Sequence, residues 1–184
     1  LVYGATGSLG LATIREAAPS VAQPTLLLAG VVFMLAGIAF KFGAAPFHMW
    51  LPDVYHGAPT PVTLFIGSAP KLAAFAMVVR LLGFGAAPLA AHWQPMLAVL
   101  AALSLLVGNV IALMQTNLKR MLAYSTISHV GFLFLGLAGG GAGGYAAAMF
   151  YAISYALMAT AAFGAIVVLS RRGDRVVHDF GRAV

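Results

Sequence analysis

Three titratable side chains stand inside long apolar runs of this sequence: Lys41 in "AFKFGAAPFHMW", Lys71 in "SAPKLAAF" and His129 in "STISHVGF". Placing a cation at the centre of a bilayer costs roughly 3 kcal/mol or more, so an intramembrane lysine is a functional hypothesis by default. An ammonium taken out of water holds its proton less tightly, and an imidazole exchanges protons near neutral pH. The chemistry these residue types offer together is reversible protonation. On neighbouring helices they would form a proton relay parallel to the membrane plane.

Their surroundings suit that use. Pro46 follows Lys41 by five residues and cannot donate to the carbonyl of Phe42, so a backbone acceptor is freed beside the lysine. Two readings of Lys41 follow. Either the helix ends at Pro46 and the lysine snorkels to the surface, or "PFHMWLPDVYHGA" continues the span as a second half-helix and Lys41 lies near its middle. Broken helices of the second kind mark ion sites in transporters. Thr63, Gly67 and Lys71 are spaced i, i+4, i+8 with Ser68 alongside, and Pro70 frees the carbonyl of Ile66 on the same stretch. Ser125 stands four residues before His129 and Ser128 is adjacent, giving the imidazole hydroxyl neighbours. Tyr151, Ser154 and Tyr155 make a further polar stripe, while Ser104 and Asn109 share a helix but not a face. Asp53, with His48 and His56, reads as a cytoplasmic cap or as a carboxylate within reach of Lys41.

The elements that must position these groups are membrane helices. Of 184 residues, 62% are hydrophobic and 8% charged, against about a quarter charged in soluble domains. A spanning helix needs about 20 apolar residues. Spans are expected at 25–57 (broken at Pro46), 59–82, 95–114, 120–138 and 145–169, with residues 1–14 the tail of a sixth helix and "GGGAGG" a linker between the last two. The fold class is all-α: a polytopic transmembrane bundle with one discontinuous helix, and residues 1–184 read as an internal piece of one longer membrane domain.

Net charge is +6, but the basic residues are scattered or sit at span ends, which argues for positive-inside topology and against nucleic acid. The basic turns at 115–120 and 170–182 then face the cytoplasm, and the lipid bilayer is the first partner. There is no cysteine, which excludes disulfides and thiolate-held zinc or iron–sulfur clusters. A haem-ligand role for His129 lacks a second histidine at matching depth. No metal site is read.

"KFGAAPFHMWLPDVYHGAPTPVT", "SAPKLAAF" and "GNVIALMQTNLKRMLAYSTISHVGF" together resemble the antiporter-like subunits of the proton-pumping NADH–quinone oxidoreductase, respiratory complex I. Within that family the wording is closest to the N-type branch. The resemblance implies a bundle of about fourteen helices and identifies Lys41, Lys71 and His129 with the family's mid-membrane hydrophilic axis. Pro46, Pro70, Ser68, Ser125, Ser128, Tyr151, Tyr155 and Asp53 would support them. It also implies a glutamate on an earlier helix and a lysine on a later one, neither within these residues. The partners implied are the other membrane subunits of complex I, including neighbouring antiporter-like ones, in a bacterial cytoplasmic membrane. No cofactor is expected in this chain, since NADH, FMN, iron–sulfur clusters and quinone belong to other subunits. The alternatives are a subunit of a multi-subunit sodium/proton antiporter and a passive membrane scaffold in which the lysines pair statically. The tail "RRGDRVVHDFGRAV" departs from the family pattern.

Overall fold

The computed structural model describes residues 1–171, and the basic stretch expected at 170–182 lies almost wholly outside them. Every regular element among the described residues is helical, and five segments have the length and apolarity to cross a membrane: Pro24–Phe42, Thr60–Gly85, Ala87–Leu113, Leu118–Gly139 and Gly141–Leu169. This is the all-α bundle the composition calls for. Before the first span the chain forms two short helices, α1 (Val2–Thr6) and α2 (Leu11–Ala17), where a single helix tail was expected. Gly7, at φ +70°, ends α1 in the left-handed conformation that glycine adopts without penalty.

The first long helix, α3 (Pro24–Phe42), carries proline in its first turn, where the missing N–H is not needed. It stops at Gly43, not at Pro46. Gly43 is left-handed (φ +74°); its N–H donates to Phe40 O at 3.0 Å and that of Ala44 to Ala39 O at 2.8 Å, a Schellman end. The chain then turns through residues 43–49 and resumes as α4 (Trp50–Gly57). The second span is interrupted as well. α5 (Thr60–Gly67) and α6 (Ala69–Val78) meet at Ser68, and a π-helical turn, Val79–Gly85, completes the span. Pro70 in the first turn of α6 removes the donor that would have joined the halves. The Ser68 hydroxyl donates back to Leu64 O at 2.8 Å.

α7 (Ala90–Leu113) begins before Pro95, where the expected span began, because Trp93 is buried and donates from Nε1 to Ala86 O at 2.9 Å, stapling an extra turn. α8 (Leu118–Gly139) starts at Asn117, whose side chain accepts from the Arg120 N–H at 3.1 Å. The glycine tract is only partly a linker: Gly140 turns, and Gly141–Gly144 already belong to α9 (Gly141–Arg171). Gly144 is needed there for close approach, since a Cβ would meet Gly136 O at 2.7 Å.

The apolar core falls into two blocks. The larger joins α3, α6, α7, α8 and α9 through Leu35, Phe42, Phe75, Leu97, Phe134 and Ala152. The smaller joins α4, α8 and α9 through Leu51, Tyr55, Ala123, Ile127 and Phe163. The break at 43–49 links an α3 in the first to an α4 in the second. α7 and α8 form the most extensive helix pair, and glycines let their backbones close up: a Cβ on Gly108 would stand 2.5 Å from Ser128 N, and one on Gly131 2.9 Å from Ala101 O. Replacing Gly108→Ala is therefore expected to destabilise the full-length subunit by about 1–3 kcal/mol. Gly37→Ala, with nothing within 4 Å, is expected to stay within about 0.5 kcal/mol. Thermal unfolding of the two variants checks the contrast.

Candidate functional site

Lys71 is the twelfth residue of the 26-residue Thr60–Gly85 segment, which puts it near mid-span. It is buried, and its Nζ donates to Phe42 O at 2.9 Å. That carbonyl is available because α3 has already ended at Gly43 and Pro46 carries no N–H to bond it. The freed acceptor expected beside Lys41 therefore serves Lys71. The bond also brings the end of α3 level with the Lys71 side chain. Among the described residues Lys71 has no carboxylate partner; the one ion pair there is Arg120–Asp53. A carbonyl partner differs from a carboxylate in one respect that matters. It accepts from an ammonium and from a neutral amine alike, so it holds the side chain without fixing its charge.

The break is held on its other sides too. Trp50 Nε1 donates to Phe40 O at 2.9 Å. The Ala45 N–H donates to Ser104 Oγ at 2.9 Å, and that hydroxyl donates to Leu100 O at 2.7 Å. Ser104 is fully buried, so α7 supplies the partner that one free donor of the break requires. Lys41 is placed otherwise. Its residue is exposed on the face of α3 that no described helix covers, with no described hydrogen bond or ion pair, and it does not line the cavity around Lys71.

His129, half-buried on α8, shares a small cavity with Lys71, Phe42, Tyr151, Ala152 and Tyr155. Its volume of about 10 Å³ is at the threshold for one water. The imidazole Nδ1 lies 2.7 Å from Tyr151 Oη, and the Tyr155 ring stands 5.0 Å from the imidazole, centre to centre. Tyr155 Oη donates to Thr126 Oγ1 at 2.8 Å, and Thr126 Oγ1 donates to Leu122 O at 2.8 Å. The hydroxyl on His129 thus comes from α9, while Ser128 is buried at the α7–α8 crossing and Ser125 lines a second cavity. Ser154 points away and is exposed. Ser104 and Thr126 are the residues that sequence reasoning missed or ranked low. Thr126 carried a signal, since i, i+3 from His129 puts it on the same helix face.

Thr63 and Gly67 are buried along the stripe that ends at Lys71, with Thr63 Oγ1 3.3 Å from Tyr55 O. Asp53 Oδ1 accepts from Arg120 at 2.9 Å and is largely exposed, so the carboxylate belongs to a surface clasp and not to Lys41. Lys119 completes the clasp by donating to Ala58 O at 2.7 Å, just beyond the last residue of α4. His56 is exposed beside it. Ser104→Ala strands a buried N–H and is expected to lower stability by about 1–3 kcal/mol. Asp53→Asn, at a surface pair, is expected to lower it by less than about 1 kcal/mol. Thermal unfolding of the full-length protein measures both.

Comparison with known proteins places this arrangement. Residues 1–181 match the family model described as NADH:quinone oxidoreductase/Mrp antiporter, TM. The chain is 64% identical over 182 residues, 98% of its length, to NADH-quinone oxidoreductase subunit N of Xanthomonas euvesicatoria pv. vesicatoria, covering 37% of that protein. It is 59% identical to the Halorhodospira halophila subunit N, over 94% of this chain and 36% of the relative. The chain thus spans a little over a third of these relatives. Among solved structures it is similar to respiratory complex I from Thermus thermophilus (TM-score 0.71, 44% identity, 88% of this chain and 34% of that one). It is also similar to the Mrp complex from Dietzia sp. DQ12-45-1b (TM-score 0.81, 25% identity, 92% and 31%). The chain belongs to the NADH:quinone oxidoreductase/Mrp antiporter transmembrane family.

Proposed function

We propose that these residues form the central part of a proton-translocating membrane subunit of an NADH–quinone oxidoreductase, with Lys71 and His129 as consecutive proton carriers. The observation that carries the reading is the buried Lys71 side chain, held by a backbone carbonyl opened for it and sharing a one-water cavity with His129. A static structural lysine in this setting would be paired with a carboxylate, because a buried charge is otherwise costly. A lysine held by a carbonyl can release its proton and keep its place. His129, with Tyr151 on one nitrogen, can take that proton on the other through a water that the shared cavity would admit.

Lys41 is proposed as a switchable carrier that feeds Lys71 from the uncovered face of α3. Its partner would be a carboxylate from another part of the longer subunit, as the family resemblance implies. In this reading Pro46 and Pro70 open the backbone, Ser68, Ser125, Ser128, Tyr151 and Tyr155 line or brace the path, and Asp53 anchors its cytoplasmic end. The 115–120 turn then faces the cytoplasm of a bacterium. Redox chemistry and its cofactors belong to other subunits, and the other membrane subunits of the complex are the partners. The likeness to the Mrp complex supports a second reading, a sodium/proton antiporter subunit. The higher identity to oxidoreductase subunits favours the first.

Lys71→Met in the full complex is expected to lower NADH-driven proton pumping by at least tenfold while the complex still assembles. Proton uptake into inverted membrane vesicles, with and without sodium, measures it. Pumping at the unaltered rate would remove Lys71 from the path, and transport that requires sodium without NADH oxidation would select the antiporter.

A further inference from the structure

A cavity of about 160 Å³ lies between α2, α3 and the π-helical turn Val79–Gly85. The Thr60–Gly85 segment starts beside the Lys119–Ala58 bond and ends at this cavity, so the cavity and the Arg120–Asp53 clasp lie at opposite ends of the span. Leu27, Val31 and Met34, spaced i, i+4, i+7, present one face of α3 to it. Ile14 of α2 and Leu81 and Gly85 of the π-helical turn close other sides, and every lining residue is apolar. Such a cavity holds no partner for water, and one of roughly 150 Å³ accepts a benzene-sized hydrocarbon. Left empty, its wall forfeits dispersion contacts, and the hydrocarbon at hand in a bilayer is an acyl chain. Leu27 and Met34 are the fourth and eleventh of the 19 residues of α3. At 1.5 Å per residue the cavity therefore runs about 10 Å from the end of the span toward its middle. That is within the depth of one leaflet, about 15 Å.

The rim carries charge. Arg15 follows Ile14 and Arg80 precedes Leu81, so each stands next to a lining residue. The Arg15 guanidinium lies 5.1 Å from the centre of the Phe84 ring, which holds it beside the π-helical turn. Both arginines are exposed, and neither has a hydrogen bond or ion pair with another described residue. Two acidic side chains occur among the described residues: Asp53, taken by Arg120, and Glu16, exposed and unpaired next to Arg15. The rim formed by Arg15, Glu16 and Arg80 is thus net positive, at the end of the bundle where the positive-inside expectation puts few basic residues. A phosphate supplies the partner these arginines lack, since a guanidinium fork matches its oxygens two at a time.

We propose that this cavity seats one acyl chain of an anionic phospholipid whose headgroup phosphate is held by Arg15 and Arg80. The lipid fastens α2 and the π-helical turn to α3, at the far end of the segment that carries Lys71. The inference does not depend on which ion the subunit moves.

Photolabelling of the full complex reconstituted in liposomes tests it. The probes are phosphatidylglycerol and phosphatidylcholine, each with a diazirine near the end of one acyl chain, and labelled residues are identified by peptide mass spectrometry. Relative to labelling of the whole complex, Leu27, Val31 and Met34 are expected to take the phosphatidylglycerol label at least fivefold more than the phosphatidylcholine label. Arg15→Gln combined with Arg80→Gln, both at exposed positions, is expected to erase that preference. Ala18→Phe, which fills the cavity from its lining, is expected to lower labelling by both probes at least fivefold; should it fail to assemble, the arginine pair decides alone. Equal labelling by the two headgroups, or a preference that survives loss of both arginines, would overturn the proposal. So would the absence of label from all three residues, the result expected if another part of the longer subunit fills the cavity.

Discussion

One hydrogen bond organises the middle of this bundle: Lys71 Nζ to the carbonyl of Phe42. A helix spends its carbonyls on its own N–H groups, so one left wholly to a side chain at depth is found where the helix has been stopped. The rest of the break exists to make that stop tolerable away from water. Gly43 turns the chain and satisfies Ala39 and Phe40, Trp50 adds a second donor to Phe40, and Ser104 on α7 accepts from Ala45. With those groups paired, the Phe42 carbonyl is left aimed at the lysine. The cation and the broken helix are conditions for each other.

The tight helix pair beside the break serves the same constraint. Gly108 and Gly131 bring α7 and α8 within backbone contact, which sets Ser104 against the break and His129 against Lys71's chamber at once. Two apolar blocks flank the polar residues, one made mainly with α3 and α6, the other with α4. Lys71 and Ser104 thus meet the irregular backbone of the break and give it the partners that such backbone needs in a bilayer.

Much of this was legible from residue types. Lys71 and His129 stood out because a charge or an imidazole in an apolar run is costly unless it is put to use, and Pro46 and Pro70 marked both broken spans. The position of the first break was less legible. Pro46 read as the terminator, but the helix already ends where Gly43 turns left-handed, a choice local sequence does not dictate. That the freed carbonyl would serve Lys71 rather than Lys41 depends on packing between residues 29 apart in sequence. The Ser104 bond spans 59, and nothing in either segment announces the other. The early start of α7 likewise follows from a tertiary anchor, Trp93, outweighing a local proline signal. Tyr151 was legible as part of a stripe, but its choice of His129 Nδ1 belongs to the α8–α9 packing.

The clasp at the foot of α4 has a kinematic consequence. Arg120 grips Asp53 within the half-helix and Lys119 grips Ala58 just past its end, so α4 is riveted to the start of α8 at two points about one turn apart. Two such ties favour α4 and the start of α8 moving together as a lever, which is joined to α3 through residues 43–49 and the Trp50–Phe40 bond. Any tilt of the lever is delivered at Phe42, and there it would lengthen or shorten the one bond on which Lys71 hangs.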